Sequence, residues 1–270
     1  MRFSIVVVCL NAGEKLGRTV DSILKQSFND YEIVIKDGLS SDGSLETLRQ
    51  VQGEDTRLWI YEEKDTGIYD AMNQAIPHCR GDYLLFLNCG DYLAAEDVLA
   101  RMAEGIDRTL AGKESREPYI FYGDIYERLG RTAVASNPHM DAFACYRNVP
   151  CHQCCFYDRG LFSGRGYDTG YRVRADYEHF LWSCFVRGAV PVWLPVVVAS
   201  YEGGGFSETA QNRKVSAAEH KEITKRYFSR KQLFTYRLIL LLTLAPLRTK
   251  MAQSPALSGV YNRIKKLLYR

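Results

Sequence analysis

No stretch of this 270-residue chain is apolar for the roughly 20 residues that crossing a bilayer takes. The opening run Phe3-Ser4-Ile5-Val6-Val7-Val8-Cys9-Leu10 is far too short, and it lacks the small-residue cleavage site of a secretory signal, so a cytosolic chain is expected. No Gly-x-Gly-x-x-Gly follows that run, and no Gly-x-x-x-x-Gly-Lys-Ser/Thr occurs anywhere. Those absences argue against a dinucleotide dehydrogenase and a P-loop enzyme. The eight cysteines do not form a paired framework. Cys151, Cys154 and Cys155 make one cluster of the kind that serves zinc or a redox pair, but no second pair with matching spacing follows, and the cysteines read as reduced core and loop residues. Acidic side chains run out towards the end. From Arg213 onward fourteen Lys or Arg face only Glu219 and Glu222, a balance of +12, which leaves −9 on the first 212 residues. An acidic body with a basic tail calls for a partner at the tail.

What is present is a substantial apolar content, 46% of residues, arranged as an alternation. Phe3 to Leu10 reads as a strand and Asn11-Ala12-Gly13 as the turn leaving it. Leu16, Val20, Ile23 and Leu24 then fall at helical spacing. Tyr31 to Lys36 is a second strand ending at Asp37, and Asp42 or Ser44 is placed to cap a helix from about Leu45. Arg57 to Tyr61 is a third strand. Ile68, Met72, Ala75 and Ile76 form a third helical stripe, which Pro77 ends.

The central stretch is Gly81-Asp82-Tyr83-Leu84-Leu85-Phe86-Leu87-Asn88-Cys89-Gly90-Asp91. Its apolar run reads as a strand buried on both faces that stops in a polar turn. Strand and helix in alternation imply right-handed crossovers and a mainly parallel α/β sheet with helices on both sides. Asn11, Asp37, Asp65 and Asp91 then lie at one carboxyl edge, where such sheets bind ligands.

The runs Val34-Ile35-Lys36-Asp37-Gly38-Leu39-Ser40-Ser41-Asp42-Gly43-Ser44, Asp65-Thr66-Gly67-Ile68-Tyr69-Asp70-Ala71-Met72-Asn73 and Phe86-Leu87-Asn88-Cys89-Gly90-Asp91, in that order after Ser4 to Asn11, resemble a family 2 glycosyltransferase with the GT-A fold. The similar group is the bacterial exopolysaccharide and O-antigen enzymes, including the colanic-acid type. The resemblance covers most of residues 3 to 205. It implies a nucleotide-sugar donor, a divalent metal (Mn2+ or Mg2+) and inversion at the anomeric carbon. It assigns Asp37 to the base, with a UDP-sugar favoured, and Asn11, Asp65, Asn73, Asn88 and Gly90 to the nucleotide-sugar pocket. Asp91 matches the last carboxylate of the Asp-x-Asp motif, the metal ligand. Two departures stand out: Gly38 replaces a second aspartate, and Asn88 with Gly90 replace the motif's earlier carboxylates.

Beyond Asp91, Val98, Leu99 and Met102 suggest a helix and Tyr119 to Asp124 a strand, with Asp124 touching a sugar or starting a hairpin. His152 and Gln153 match a His-Gln pair of the family, near diphosphate or acceptor. A helix from about Ala175 buries Phe180 and Leu181 and carries Asp176 in its first turn. The resemblance makes Asp176 the catalytic base, with Glu178 the rival. Tyr201-Glu202-Gly203-Gly204-Gly205-Phe206-Ser207 reads as a glycine-rich loop over the donor. No Gln-x-x-Arg-Trp occurs, which sets the processive synthases aside.

These residues give a catalytic domain over 1–212, with a nucleotide-sugar half (1–100) and an acceptor half (101–212), and a basic helical tail over 213–270. The run Leu233 to Leu247, bracketed by Lys and Arg, suits amphipathic helices on an anionic membrane surface, as a polyprenyl-diphosphate-linked glycan acceptor requires. That places the enzyme peripherally on the inner face of the plasma membrane. A docked helix or a homodimer contact is the competing use of the run. Nucleic acid is not an expected partner. The alternative function is a non-catalytic sugar-nucleotide-binding or scaffolding subunit of a polysaccharide assembly. A sugar-1-phosphate nucleotidyltransferase would need a basic glycine-rich loop after the first strand, which is missing.

Overall fold

The structure is a computed structural model that describes residues 1–113, 117–201 and 209–243, with the side chain of Thr47 excepted. Strands β1 (Phe3–Cys9) and β2 (Tyr31–Asp37) are buried at every position, as their apolar centres demand when both faces of a sheet are covered, with Ser4, Glu32, Lys36 and Asp37 buried among them. Helix α1 (Glu14–Leu24) joins them and turns Leu16, Val20 and Ile23 inward, with Thr19 in place of the expected Leu24. Helix α2 (Glu46–Glu54) follows without a side-chain cap, because Asp42 instead accepts from the backbone N–H of Gly13 and of Ser44. Strand β3 (Leu58–Glu62), helix α3 (Ile68–Ala75) and strand β4 (Tyr83–Phe86) complete the first half. The buried face of α3 is Tyr69, Ala71, Met72 and Ala75, so Ile68 and Ile76 sit nearer the rim than their spacing suggests.

The four strands pair in parallel in the order β3-β2-β1-β4. Entry into β4 depends on Gly81, where a Cβ would lie 2.4 Å from the backbone nitrogen of Ser4. The second half contains β5 (Tyr92–Leu93), α4 (Val98–Leu110), β6 (Tyr119–Glu127), β7 (Thr132–Val134), α5 (Ala142–Arg147), β8 (Cys155–Asp158), α6 (Ala175–Phe185) and β9 (Val190–Tyr201). Here the sheet is mixed. β8 inserts antiparallel between β4 and β6, β9 runs parallel to β6, and β5 and β7 pair antiparallel with β9 and β6. The whole is a curled sheet flanked by helices.

Against the far end of β4 and β8 packs an aromatic cluster of Phe86, Tyr157, Phe162 and Tyr167 with His179 of α6. His179 is fully buried and stacked on Phe162 at 4.3 Å, and burial pushes its pKa down to about 3. The folded pKa lies below the ordinary value of 6.5, so as pH falls the unfolded chain takes up the proton first. Stability is therefore expected to decline below about pH 6.5 with the slope of one proton, about 1.4 kcal/mol per pH unit. Urea titrations of wild type and His179→Phe at several pH values check this: the variant's stability curve should be flatter, and parallel curves would refute a neutral His179.

Helices α7 (Ala210–Tyr227) and α8 (Arg230–Leu242) end the described chain. The chain divides into two compact units, Met1–Lys221 and Glu222–Arg270. The boundary lies nine residues later than the charge pattern places it. The reason is Glu219, whose carboxylate accepts the backbone N–H groups of Arg172, Val173 and Arg174 and binds the middle of α7 to the first unit.

Candidate active site

At the carboxyl edge the first two loops are knitted together. Asn11, in the left-handed region at φ 48°, donates its N–H to Ser40 Oγ and accepts from Ser41 N–H through Oδ1. Asp37 is fully buried, and its oxygens are taken up by Ser40 N–H, Ser40 Oγ–H and the Cys9 thiol. Asp37 thus shapes the loop from below, and the direct contact with a base expected of it is not presented by this arrangement. Asp65 pairs with Lys36 at 3.0 Å, and the Lys36 ammonium, 1% exposed, also donates to the carbonyls of Asp37 and Glu63. A buried ammonium is tolerable only when its protons are accounted for in this way. A Cβ at Gly38 would lie 2.7 Å from Asp65 Oδ2, so a larger residue there would have to shift the carboxylate that Lys36 holds.

The turn after β4 is held from three sides. Gly90, at φ 96°, donates its N–H to Thr19 Oγ1, its carbonyl accepts from Arg128, and Asp91 N–H donates to the Asn88 carbonyl. The positive φ explains the glycine. Gln153 Nε2 donates to Asp91 Oδ2 at 3.1 Å. The neighbouring side chain does the same for the other expected catalytic carboxylate: His152 Nδ1 lies 3.0 Å from Asp176 Oδ2. One short helical turn, His152–Cys154, therefore links the two acids that the sequence singles out.

Asp176 lies in the first turn of α6, and its Oδ1 accepts from Tyr69 Oη–H at 3.0 Å and Tyr177 N–H at 2.8 Å. Burial works to raise its pKa, but the hydrogen bond and charge of His152, with the Tyr177 N–H and Tyr69 hydroxyl, outweigh it and hold the carboxyl below its usual range. It is an anion at neutral pH, with a quarter of its side chain exposed.

Glu178 is placed differently. It is fully buried and paired with Arg165 at 2.6 Å, so it serves the fold. Asp124 lies within β6 and accepts from Trp193 Nε1 and Ser136 N–H; the hairpin to β7 opens after Glu127. Asn73 spends its amide on Tyr167, donating to the carbonyl and accepting from the N–H, which fixes the segment ahead of α6. All eight cysteines are free, and Cys154 and Cys155 turn their thiols to the Cys151 carbonyl. The glycine-rich segment 202–208 lies outside the described residues.

Tyr69 and Arg128 carry weight that the sequence did not reveal. Tyr69 joins Asp176 to the carbonyl of Val173, and Arg128 joins Gly90 to the Ser200 carbonyl. A tyrosine one residue inside a helix that begins after a glycine was the available signal for the first; nothing marked the second.

Among the described residues no three His, Cys, Asp or Glu side chains converge as a metal-ligand group. The turn does hold two hard oxygen donors, the Asp91 carboxylate and Asn88 Oδ1, which is buried with no hydrogen-bond partner. Such a pair fits Mg2+ or Mn2+ when phosphate oxygens and water supply the remaining ligands.

Comparison with known proteins bears on the family and the fold. A PGL/p-HBAD biosynthesis glycosyltransferase of Mycobacterium bovis is 38% identical over 218 residues, covering 78% of this chain and 81% of the relative. A mannosyltransferase from Pyrobaculum calidifontis, solved with GDP-Man and Mn2+, superposes with a TM-score of 0.66 at 18% identity, over 100% of this chain and 81% of its own. S. aureus TarS 1-349 with UDP-GlcNAc gives 0.64 at 16% identity, over 86% and 69%; the chain spans 45% of the longer TarS. The likeness of these GT-A enzymes extends across both halves of the sheet. The model of glycosyl transferase family 2 matches residues 4–159, from the first strand through β8, and the chain belongs to that family.

Proposed function

We propose that this glycosyltransferase is inverting, metal-dependent and non-processive, and moves one hexose from a nucleotide sugar, a UDP-sugar first, to a polyprenyl-diphosphate-linked glycan in bacterial surface polysaccharide assembly. The observation that carries this reading is the pair His152-Gln153, whose adjacent side chains hold Asp176 and Asp91. Two carboxylates with different duties are thereby kept at a fixed separation. Neighbours solved with UDP-GlcNAc and with GDP-Man and Mn2+ support the donor class and the metal.

In the reaction, an acceptor hydroxyl attacks the anomeric carbon in line, and the nucleoside diphosphate leaves from the opposite face. Asp176 receives the hydroxyl proton as the new C–O bond forms, a role typically worth about 10²–10⁴-fold in rate. Tyr69 and His152 hold the carboxylate's orientation through that step. A divalent ion held by Asp91 and Asn88 would supply positive charge against the departing diphosphate. The loops around Asn11, Asp37 and Asp65 frame the nucleotide, with Asp37 acting through Ser40. The basic tail holds the enzyme peripherally on the anionic inner face of the plasma membrane, where a lipid-linked acceptor is presented.

Incubation of the purified chain with UDP-, GDP- and dTDP-sugars, with and without Mn2+, tests the reading. Slow hydrolysis of a UDP-sugar is expected, lost with a chelator and restored by Mn2+. Binding without hydrolysis of any donor would favour the non-catalytic subunit, and neither binding nor hydrolysis would overturn the donor assignment.

A further inference from the structure

The second unit contains a feature that the transfer chemistry does not use. α7 ends at Tyr227 and α8 begins at Arg230, so the chain turns on Phe228 and Ser229 alone. Ser229 and Gln232 close the turn reciprocally: Ser229 Oγ accepts from Gln232 N–H, and Gln232 Oε1 accepts from Ser229 N–H. Phe228, 4% exposed, meets the Tyr236 ring edge-on at 5.9 Å. The corner is thus fixed by its own residues.

In this corner lies a groove of about 520 Å3 lined by Lys225, Phe228, Arg230, Leu233, Phe234 and Arg237. Lys225, Arg230 and Arg237 are exposed and have no acidic partner among the described residues. None is available further along the sequence either, because no Asp or Glu follows Glu222. Beside these cations α8 buries none of its side chains. Phe234, Leu238, Leu241 and Leu242 are 70%, 45%, 64% and 75% exposed, at spacings that put them on one side of the helix.

Two chemistries meet here, and the ligand must satisfy both. A free nucleotide or an acidic protein surface would answer the cations and leave the apolar stripe bare. A purely apolar partner would bury three uncompensated charges, which costs more than the stripe gains. An anion attached to hydrocarbon chains answers both. We infer that the α7–α8 corner is a seat for an anionic phospholipid of the membrane, with its phosphate among Lys225, Arg230 and Arg237. Its chains lie along Leu233 and Phe234, and Leu238, Leu241 and Leu242 continue into the apolar layer. This deepens the membrane part of the reading above and does not depend on the transfer chemistry.

The test is cosedimentation of the full chain with vesicles of phosphatidylcholine alone or mixed with phosphatidylglycerol, with donor hydrolysis measured in parallel to report an intact catalytic unit. Wild type should pellet with the anionic vesicles. Arg230→Gln with Arg237→Gln, and separately Phe234→Gln with Leu238→Gln, should each weaken binding roughly tenfold or more. Wild type pelleting equally on both vesicles would overturn the membrane reading itself. Anionic preference that survives both double variants would overturn the corner as its seat and leave the membrane reading standing. A lipid-free dimer of wild type that both variants convert to monomer would make the groove a contact between copies, which also overturns the inference.

Discussion

Asp176→Asn is expected to lower turnover by at least about a hundredfold while leaving donor affinity near that of wild type. The substitution keeps the shape of the side chain and an oxygen able to accept from Tyr69 Oη–H and Tyr177 N–H, so the start of α6 should stay in place. What is lost is the anionic acceptor for the hydroxyl proton. The companion variant is Glu178→Gln. Glu178 is buried against Arg165, and removing its charge breaks that buried ion pair. That variant should show its effect as lost stability, about 3 kcal/mol at the lower end for breaking a buried pair, with turnover near normal at temperatures where it stays folded. Single-turnover kinetics with a saturating donor, beside urea denaturation, separate the two outcomes. A large turnover defect in Glu178→Gln with an active Asp176→Asn would transfer the base to Glu178.

Asp91→Ala should abolish detectable transfer and remove the effect of Mn2+ on nucleotide affinity. The carboxylate is the only acidic side chain in the turn that ends the central strand, and the amide oxygen of Asn88 alone is too weakly basic to retain a divalent ion. The substitution also strips Gln153 Nε2 of its acceptor, a loss of about 1–3 kcal/mol for a buried donor. Asp91→Asn answers the concern that the turn has merely collapsed, since its amide oxygen can still accept from Gln153. Calorimetric titration of the nucleoside diphosphate with and without Mn2+ is the direct measurement. Undiminished transfer, or metal-dependent binding that persists in both variants, would remove Asp91 from the metal site.

The first half of the sheet was readable because strands covered on both faces are largely apolar: β4 is so throughout, β1 but for Ser4, and β2 keeps Ile33-Val34-Ile35 at its centre. The position of Asp176 was readable from the stripe that follows it. That Asp176 and Glu178 would lie in different surroundings was also legible, since residues two apart on a helix point about 200° from each other. Other features had no local sign. β8 enters antiparallel and β5 is two residues long, and neither length nor spacing announces such pairings. The roles of Tyr69 and Asn73 come from partners 94 to 107 residues away. Asp37 looked exposed to ligand because the serine that occupies it also looked like an ordinary loop residue. The domain limit followed charge in the sequence, whereas the fold follows Glu219.

Tyr69 and Asn73 are one helical turn apart on α3, within the nucleotide-sugar half, and together grip Val173, Asp176 and Tyr167 of the other half. Asp176 is nevertheless held from both halves of the sheet, by Tyr69 of α3 and by His152 of the short turn ahead of β8. An exchange of the surface between α4 and α6 leaves these supports in place only if His152 and Gln153 are kept. The two halves are in this sense joined at one carboxylate, and a change in either half that moves its support is felt at Asp176.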